Sequence, residues 1–277
     1  DYEEQARAWL DAQLPARAAQ EHDPTYAIFH NRTHDEERAL IDAARAWQAR
    51  RVDAGFGAIT WGPDWGGPGL TAGHERVYVN LERGYQAPER HENVLVTVEL
   101  VAPTLHALGT DEQRKRFVRP FLRADELCCQ LFSEPGAGSD LAGLSTKAVR
   151  SGDTWRINGQ KVWISTAQVA DRILLLARTT PLDEVEKPTR GLSLFYTRFD
   201  RDRIRVREIE KMGRKPVDSN ELFFENFEIP VEDRIGEEGR GFEYILHGMN
   251  PERILIAAEA VGLGQIALKR ADRKSVV

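Results

Sequence analysis

The apolar residues of this chain change their period near Leu127, and that change limits the fold more than any other feature of the sequence. Upstream, from Tyr2 to about Arg123, apolar side chains recur at helical spacing, as in Ala39, Ala43, Ala46 and Trp47, or Val94, Val98, Val101 and Leu105. Downstream the period falls to two and β-branched and aromatic residues take over. This predicts short strands at Ile173 to Ala177, Leu192 to Tyr196, Ile204 to Glu208 and Leu222 to Phe227. Helical spacing returns after Gly241, with Ile245, Leu246 and Met249, then Ile254, Ala257, Val261 and Gly264. No helical pattern of ordinary length separates the predicted strands, so an antiparallel sheet is expected in place of a parallel, nucleotide-binding one. The fold class expected is α+β: an N-terminal all-helical domain (1–127), a central antiparallel β-barrel or sheet domain (128–236), and the start of a C-terminal helical bundle (237–277).

Local signals place turns and caps. Residues Trp61 to Gly69 carry too much Gly and Pro for a helix and read as a turn. Thr110 and Gln113 are spaced as a capping box, starting a helix that fades near Pro120. Thr154 to Ile157 and Lys161 to Ile164 flank Asn158-Gly159, which predicts a hairpin across a type I′ turn. The charged, Pro-flanked stretch 181–190 reads as an exposed loop. Ala271 to Val277 carry no helix stop signal, so the chain is expected to be C-terminally incomplete.

Charge and cysteine usage exclude several function classes. With 38 Lys and Arg against 44 Asp and Glu the net charge is −6, whereas a nucleic-acid binder needs a basic footprint to release counterions. A membrane span needs a window of about 18 or more apolar residues, and none is present. Asp1-Tyr2-Glu3-Glu4 does not open as a secretory signal does. Cys128 and Cys129 are sequence neighbours that suit neither a disulfide staple nor a zinc motif, so a reducing, cytoplasmic compartment is expected. His30 and His34 are four apart but lack a third ligand, and no metal site is expected. Gly55-Phe56-Gly57, Gly136-Ala137-Gly138 and Gly262-Leu263-Gly264 all fail the dinucleotide fingerprint.

Two segments carry chemistry. In Phe132-Ser133-Glu134-Pro135-Gly136-Ala137-Gly138-Ser139-Asp140, the glycines let backbone amides approach a polar or anionic ligand, with Ser133 and Ser139 as short donors beside them. Alone, such a loop is more often an ordinary turn. Lys161-Val162-Trp163-Ile164-Ser165 follows, and residues two apart on a strand share a face. Trp163 and Ser165 can therefore offer an aromatic wall and a hydroxyl together, which suits an extended planar heterocycle.

Together these segments closely resemble the acyl-CoA dehydrogenase family, whose signature pairs a Thr/Ser-Glu-Pro-x-Ala-Gly-Ser-Asp loop with a later Lys-x-Trp-Ile-Thr/Ser strand. The resemblance covers nearly the whole chain. The Trp61 to Gly67 turn, Leu108-Gly109-Thr110-Asp111-Glu112-Gln113, Asn158-Gly159-Gln160-Lys161, Lys211-Met212-Gly213 and Pro251-Glu252-Arg253 all fall in the family's order and spacing. It implies a helical domain, a β domain and a C-terminal four-helix bundle, and FAD as cofactor. Carried over by motif, Gln130, Leu131, Phe132, Ser133, Gly138 and Ser139 would line the flavin, with Ser133 at the isoalloxazine edge. Trp163 would flank the ring next to Ile164, and Ser165 would donate to flavin N5. Ser139 would also touch the pantetheine arm, and Asn250 and Arg253 the substrate. Gln130 stands where well-known members place an aromatic residue. The basic run Arg198, Arg201, Arg203, Arg205 and Arg207 reads as an exposed strand face, with contact to CoA phosphates as the alternative.

The activity implied is α,β-dehydrogenation of an acyl-CoA thioester to a trans-2-enoyl-CoA. The α-hydrogen is weakly acidic, so a site must polarise the carbonyl and hold a base at the carbon. The β-hydrogen leaves as hydride, which no side chain accepts, hence the flavin. The family keeps its glutamate base either in the last helices, which this chain does not reach, or on the long helix after the β domain, where Glu252 matches. The other reading of Glu252 is a first-turn acid after an Asn250 cap and a Pro251 start. The resemblance also implies an electron-transferring flavoprotein as acceptor, and a homodimer or homotetramer in which a neighbouring subunit completes the FAD site. This chain alone is then expected to hold FAD weakly or not at all. An acyl-CoA oxidase using O₂ and a non-catalytic acyl-CoA-binding fragment are the alternatives.

Overall fold

The computed structural model describes residues 1–18, 32–212 and 217–274. Helices come first: α1 (Tyr2–Gln13), α2 (His34–Asp53), α3 (Ala72–Glu82) and α4 (Glu92–Leu95). A π-helical turn (Val96–Val101) joins α4 to α5 (Ala102–Leu108), and α6 (Asp111–Leu122) follows. The strands are β1 (Cys128–Leu131), β2 (Lys147–Ser151), β3 (Thr154–Ile164), β4 (Arg172–Arg178), β5 (Leu192–Arg198), β6 (Ile204–Glu208), β7 (Asn220–Pro230) and β8 (Arg234–Ile235). The long helix α7 (Gly241–Lys274) comes last. This is the α+β order that the change of period predicts.

The helical domain packs by a different face than its alanines suggest. Ala39, Ala43 and Ala46 of α2 are exposed, while Ile41, Ala44, Trp47 and Val52 are buried together with Glu37, Gln48 and Arg51. The buried polar groups are paired: Trp47 Nε1 donates to Glu82 Oε1 at 2.8 Å, and Arg51 bridges to the same carboxylate at 3.3 Å. In α6 the Thr110 capping box forms as expected, with Gln113 N donating to Thr110 Oγ1 and Thr110 N to Gln113 Oε1. The helix then runs past Pro120 to Leu122. A proline in a helix interior costs about 3 kcal/mol, but Phe121 and Leu122 beyond it are buried, worth about 1.5–3 kcal/mol each.

The sheet runs β6-β7-β3-β2-β4-β5-β8, with β1 added beside β4. Pairing is antiparallel except for β1 on β4 and a single parallel contact of β2 with β4. In β4 the alternation of side chains divides two cores. Ile173, Leu175 and Ala177 join Trp155, Ile157, Phe195 and Phe224 on one face, while Leu174 and Leu176 join Phe117, Phe121, Leu194 and Tyr196 under the helices. Both faces are covered, which is why β4 reads as an unbroken apolar run. The same alternation sends Cys128 to the helical side and Cys129 to the other, both buried and both free.

One predicted turn is misplaced. Residues 154–164 form a single strand, so the expected hairpin across Asn158-Gly159 does not exist. The true hairpin joins β2 to β3 through Gly152-Asp153, where Ser151 pairs with Thr154 and Gly152 supplies the positive φ of +61°. Gly159 has another task. It sits at a register shift between β3 and β7, and a Cβ there would lie 2.4 Å from Thr146 Oγ1 and 2.7 Å from Thr146 Cα. The two glycines should therefore respond differently to alanine. Gly152→Ala meets open space and is expected to cost about 1–2 kcal/mol for its left-handed backbone alone. Gly159→Ala adds a clash with backbone, about 1–3 kcal/mol more by overpacking, and urea denaturation of the two variants measures the difference.

Candidate functional site

The glycine loop and the tryptophan strand meet at a buried ion pair. Lys161 Nζ donates to Glu134 Oε1 and to Phe132 O, both at 2.9 Å, and Val162 N donates to Ser133 O at 3.0 Å. The Lys161 side chain is 0% exposed and that of Glu134 4%. Glu134 also accepts from Ser145 N at 2.7 Å, Ser145 Oγ at 2.8 Å and Thr146 N at 3.0 Å. Burial alone would raise the Glu134 carboxyl; the Lys161 ammonium and the donors from Thr146 and Ser145 outweigh it and hold the pKa down at about 2. Burial brings Lys161 down to about 8 against the opposing pull of Glu134, so the pair is charged at neutral pH.

Beyond Glu134 the loop closes on itself, with Glu134 N donating to Ala137 O and Ala137 N to Glu134 O. The amides of Gly136, Gly138 and Ser139 donate to no protein acceptor among the described residues, and both glycines face open space. The hydroxyls of Ser133, Ser139 and Ser165 likewise have no protein partner among the described residues, and none of the three side chains is buried. Close by, β3 bulges: Lys161 pairs with Leu222 but Ile164 with Asn220, leaving an extra residue on β3. Trp163 lies in that bulge at φ +61° and is 62% exposed. Unpaired donors beside an outward-facing indole fit a planar heterocycle with a polar edge, which is what an isoalloxazine offers. Trp163 and Ser165 thus share an edge, although the bulge between them replaces the simple strand alternation expected. Thr166 follows at φ +72°; left-handed backbone at non-glycine residues costs about 1–3 kcal/mol each.

The remaining predicted residues divide clearly. Leu131, Phe132 and Ile164 turn their side chains into the cores, leaving only their backbones at this edge. Gln130 is half-buried in β1. On α7, Arg253 Nη1 donates to Asn250 Oδ1 at 3.0 Å. Asn250 does not cap a helix, since α7 begins at Gly241 and passes through Pro251, so the first-turn reading of Glu252 is overturned. Burial raises the Glu252 carboxyl, the charge of Glu92 raises it further, and Arg253 opposes both. Asn93, next to Glu92, accepts from Thr166 Oγ1 at 3.1 Å. The start of α4 therefore neighbours both Glu252 and the strained segment beside Ser165. A separate cleft of about 1230 Å³, lined by Arg45, Glu126, Arg172 and Arg201, includes neither Trp163 nor Glu252.

The N-terminal and middle-domain models of the acyl-CoA dehydrogenase family match residues 2–125 and 129–227. Acyl-CoA dehydrogenase IpdE1 of Mycobacterium tuberculosis is 31% identical over 98% of this chain and 69% of its own length. The chain belongs to the acyl-CoA dehydrogenase family. Cyclohex-1-ene-1-carbonyl-CoA dehydrogenase of Geobacter metallireducens is 40% identical over 62% of the chain but only 44% of that relative. The crystal structure of an acyl-CoA dehydrogenase from Geobacillus kaustophilus superposes with a TM-score of 0.70 at 25% identity, covering 96% of this chain and 65% of that one. The family is one of flavin-dependent oxidoreductases.

Other features of the acyl-CoA dehydrogenase chain are structural. Arg205 lies over Phe223 and Arg207 pairs with Glu221 on β6, as expected of a strand face, whereas Arg201 sits in the turn before β6 and donates to Ala167 O and Ala170 O. Among the described residues no group of three or more His, Cys, Asp or Glu could hold a metal, and no helix is long and apolar enough to cross a membrane. His30 and Gly213 lie outside the described residues.

The ion pair makes two measurable demands. Because the folded pKa of Glu134 lies below the ordinary 4.5, its contribution is present above about pH 4.5 and is lost as pH falls toward 2; the displacement corresponds to about 3 kcal/mol. Lys161→Met, which leaves the carboxylate buried without a cation, is expected to cost about 3–5 kcal/mol at pH 7 and to flatten this acid dependence in urea titrations.

Proposed function

We propose that this chain carries the FAD- and substrate-facing part of an enzyme that dehydrogenates acyl-CoA thioesters between the α- and β-carbons. The observation that carries the reading is the joint placement of unpaired donors, an exposed indole and a carboxyl of raised basicity around α4 and the edge of β3. Ser133 and the free loop amides would hold the polar edge of the flavin, Trp163 would lie against the ring system, and Ser165 would donate to N5. When bound, the flavin supplies the acceptor for the β-hydride.

Glu252 would take the α-proton. A carboxylate poised above its ordinary pKa is a better base for a weak carbon acid, and burial provides most of that shift. Glu92 adds to it without being spent in the reaction. Arg253, tied to Asn250, would sit beside the thioester end of the substrate, and Ser139 beside the pantetheine arm.

The partners proposed are an acyl-CoA, an electron-transferring flavoprotein as acceptor, and further copies of the chain. Support for assembly lies in α7. Ile254, Leu255, Ile256, Val261, Ile266 and Leu268 are all exposed and point around the whole girth of the helix. A helix apolar all round belongs inside a bundle, and the relatives are longer than the stretch they share with this chain.

Two substitutions test the assignment in the flavin-loaded protein. Glu252→Gln is expected to slow bleaching of the visible flavin band by saturating acyl-CoA about 10²–10⁴-fold; bleaching at the parent rate would place the base elsewhere. Glu92→Gln removes a charge that raises Glu252, so the acidic limb of the rate profile should move to lower pH.

A further inference from the structure

Ser165 stands between two residues in the left-handed region, Trp163 and Thr166. Thr166 is β-branched, for which this backbone is an outlier, and such outliers persist only where their surroundings over-determine them. The surroundings here are a polar clamp from two elements. From the entry to β7, Asp218 accepts Thr166 N on Oδ1 at 3.2 Å and Gln168 N on Oδ2 at 3.1 Å. Asn220, 0% exposed, donates from Nδ2 to Ile164 O at 3.0 Å and to Asp218 Oδ2 at 2.5 Å, and accepts Gln168 Nε2 on Oδ1 at 2.7 Å. From α4, the buried Asn93 accepts Thr166 Oγ1 on Oδ1 at 3.1 Å. Asn93 is itself anchored, its backbone N donating to His91 Nδ1 at 3.2 Å while His91 Nε2 pairs with Glu37 of α2.

Sheet pairing alone does not require this arrangement. An unbulged β3 would keep its ladder with β7 through Trp163, and a glycine would relieve the strain at either left-handed position. The conformation instead throws an indole into solvent and leaves the Ser165 hydroxyl without a protein partner.

We infer that Asn93, Asp218 and Asn220 are positioning residues for the flavin edge: they hold residues 163–166 in the strained bulge that presents the Trp163 indole and the Ser165 hydroxyl to the ring. This rests on the flavin reading proposed above. The benefit of such a clamp appears as affinity and as stacking geometry.

The test uses Thr166→Val, which keeps the branched shape but removes the hydrogen to Asn93, and Thr166→Ser, which restores the hydroxyl. FAD affinity and the fluorescence of bound FAD in the assembled full-length protein, and hydrogen exchange of residues 163–168 in its flavin-free form, are measured for both and for the parent. Thr166→Val is expected to bind FAD about tenfold more weakly, the range of one lost hydrogen bond, with faster exchange at 163–168 and recovered flavin fluorescence as the indole loosens. Thr166→Ser should stay within about twofold of the parent by the same criterion. Asn93→Ala repeats the measurement from the other side of the bond. If the valine and alanine variants bind and quench FAD as the parent does, or lose only thermal stability, the positioning role is overturned while the flavin site stands. If the parent, in the assembled full-length protein, neither binds nor quenches FAD, the flavin reading fails and the inference with it.

Discussion

Everything where the glycine loop meets the edge of β3 hangs on the Lys161–Glu134 pair. Taking an ammonium and a carboxylate out of water costs several kcal/mol for each ion, so such a pair survives only where its remaining hydrogen-bonding capacity is used. Glu134 uses it on three donors of the turn at Ser145 and Thr146, and Lys161 on the carbonyl of Phe132. The pair therefore fixes the glycine loop, the edge of β3 and the start of β2 to one another. With that point settled, the free amides of the loop and the Trp163 bulge have a definite relation. Without it, each would be a mobile turn.

The second constraint is the double-faced β4. Because its alternate residues serve two cores, the helical domain cannot shift without disturbing the sheet, and α4 with its π-helical turn is carried along. Thr97 in that turn accepts the amide of Cys128 at 2.9 Å, so the first strand begins directly against the helix. The result is that Glu92 and Asn93, adjacent in sequence, serve two tasks: one raises the basicity of Glu252 and the other holds Thr166. π-Helical turns of this kind tend to occur where a helix carries function.

The architecture was legible because it rests on period. Helices, strands and the capping box at Thr110 each leave a local pattern, and β6 appears where its alternation predicts. The Asn158-Gly159 turn failed because the strongest short-range hairpin signal also describes a glycine squeezed under Thr146, and a dipeptide cannot distinguish a turn from a close approach. The helix that the sequence lets fade near Pro120 does end there, at Leu122, the burial of Phe121 and Leu122 carrying it two residues past the proline. Motif and resemblance single out Ser133, Trp163 and Ser165 as candidates, but not the bulge in which Trp163 lies, since strand alternation assumes an unbroken ladder. Asn93, Asp218 and Asn220 left no trace. Their partners lie tens of residues away in the chain, and a buried polar residue has no period.

The placement of Glu252 depends on a contact of a different kind. At Gly248 a Cβ would lie 2.8 Å from Thr104 Oγ1 and 3.4 Å from Leu100 O, so the absence of a side chain lets α7 press against the helix of α5 and the π turn. Glu252 follows four residues later on the same helix face, which brings its carboxyl down toward Glu92 instead of out into water. A bulkier residue at 248 would lift this turn of α7, rehydrate Glu252 and lower its basicity without touching any reacting group. Farther along, α7 leaves the body and presents apolar side chains on every side. The turn that carries Glu252 and the apolar outer half thus belong to one continuous helix. On the function proposed above, whatever encloses its outer half would also fix the angle at which Glu252 meets the substrate, and assembly and acid–base chemistry would be coupled through a single helix.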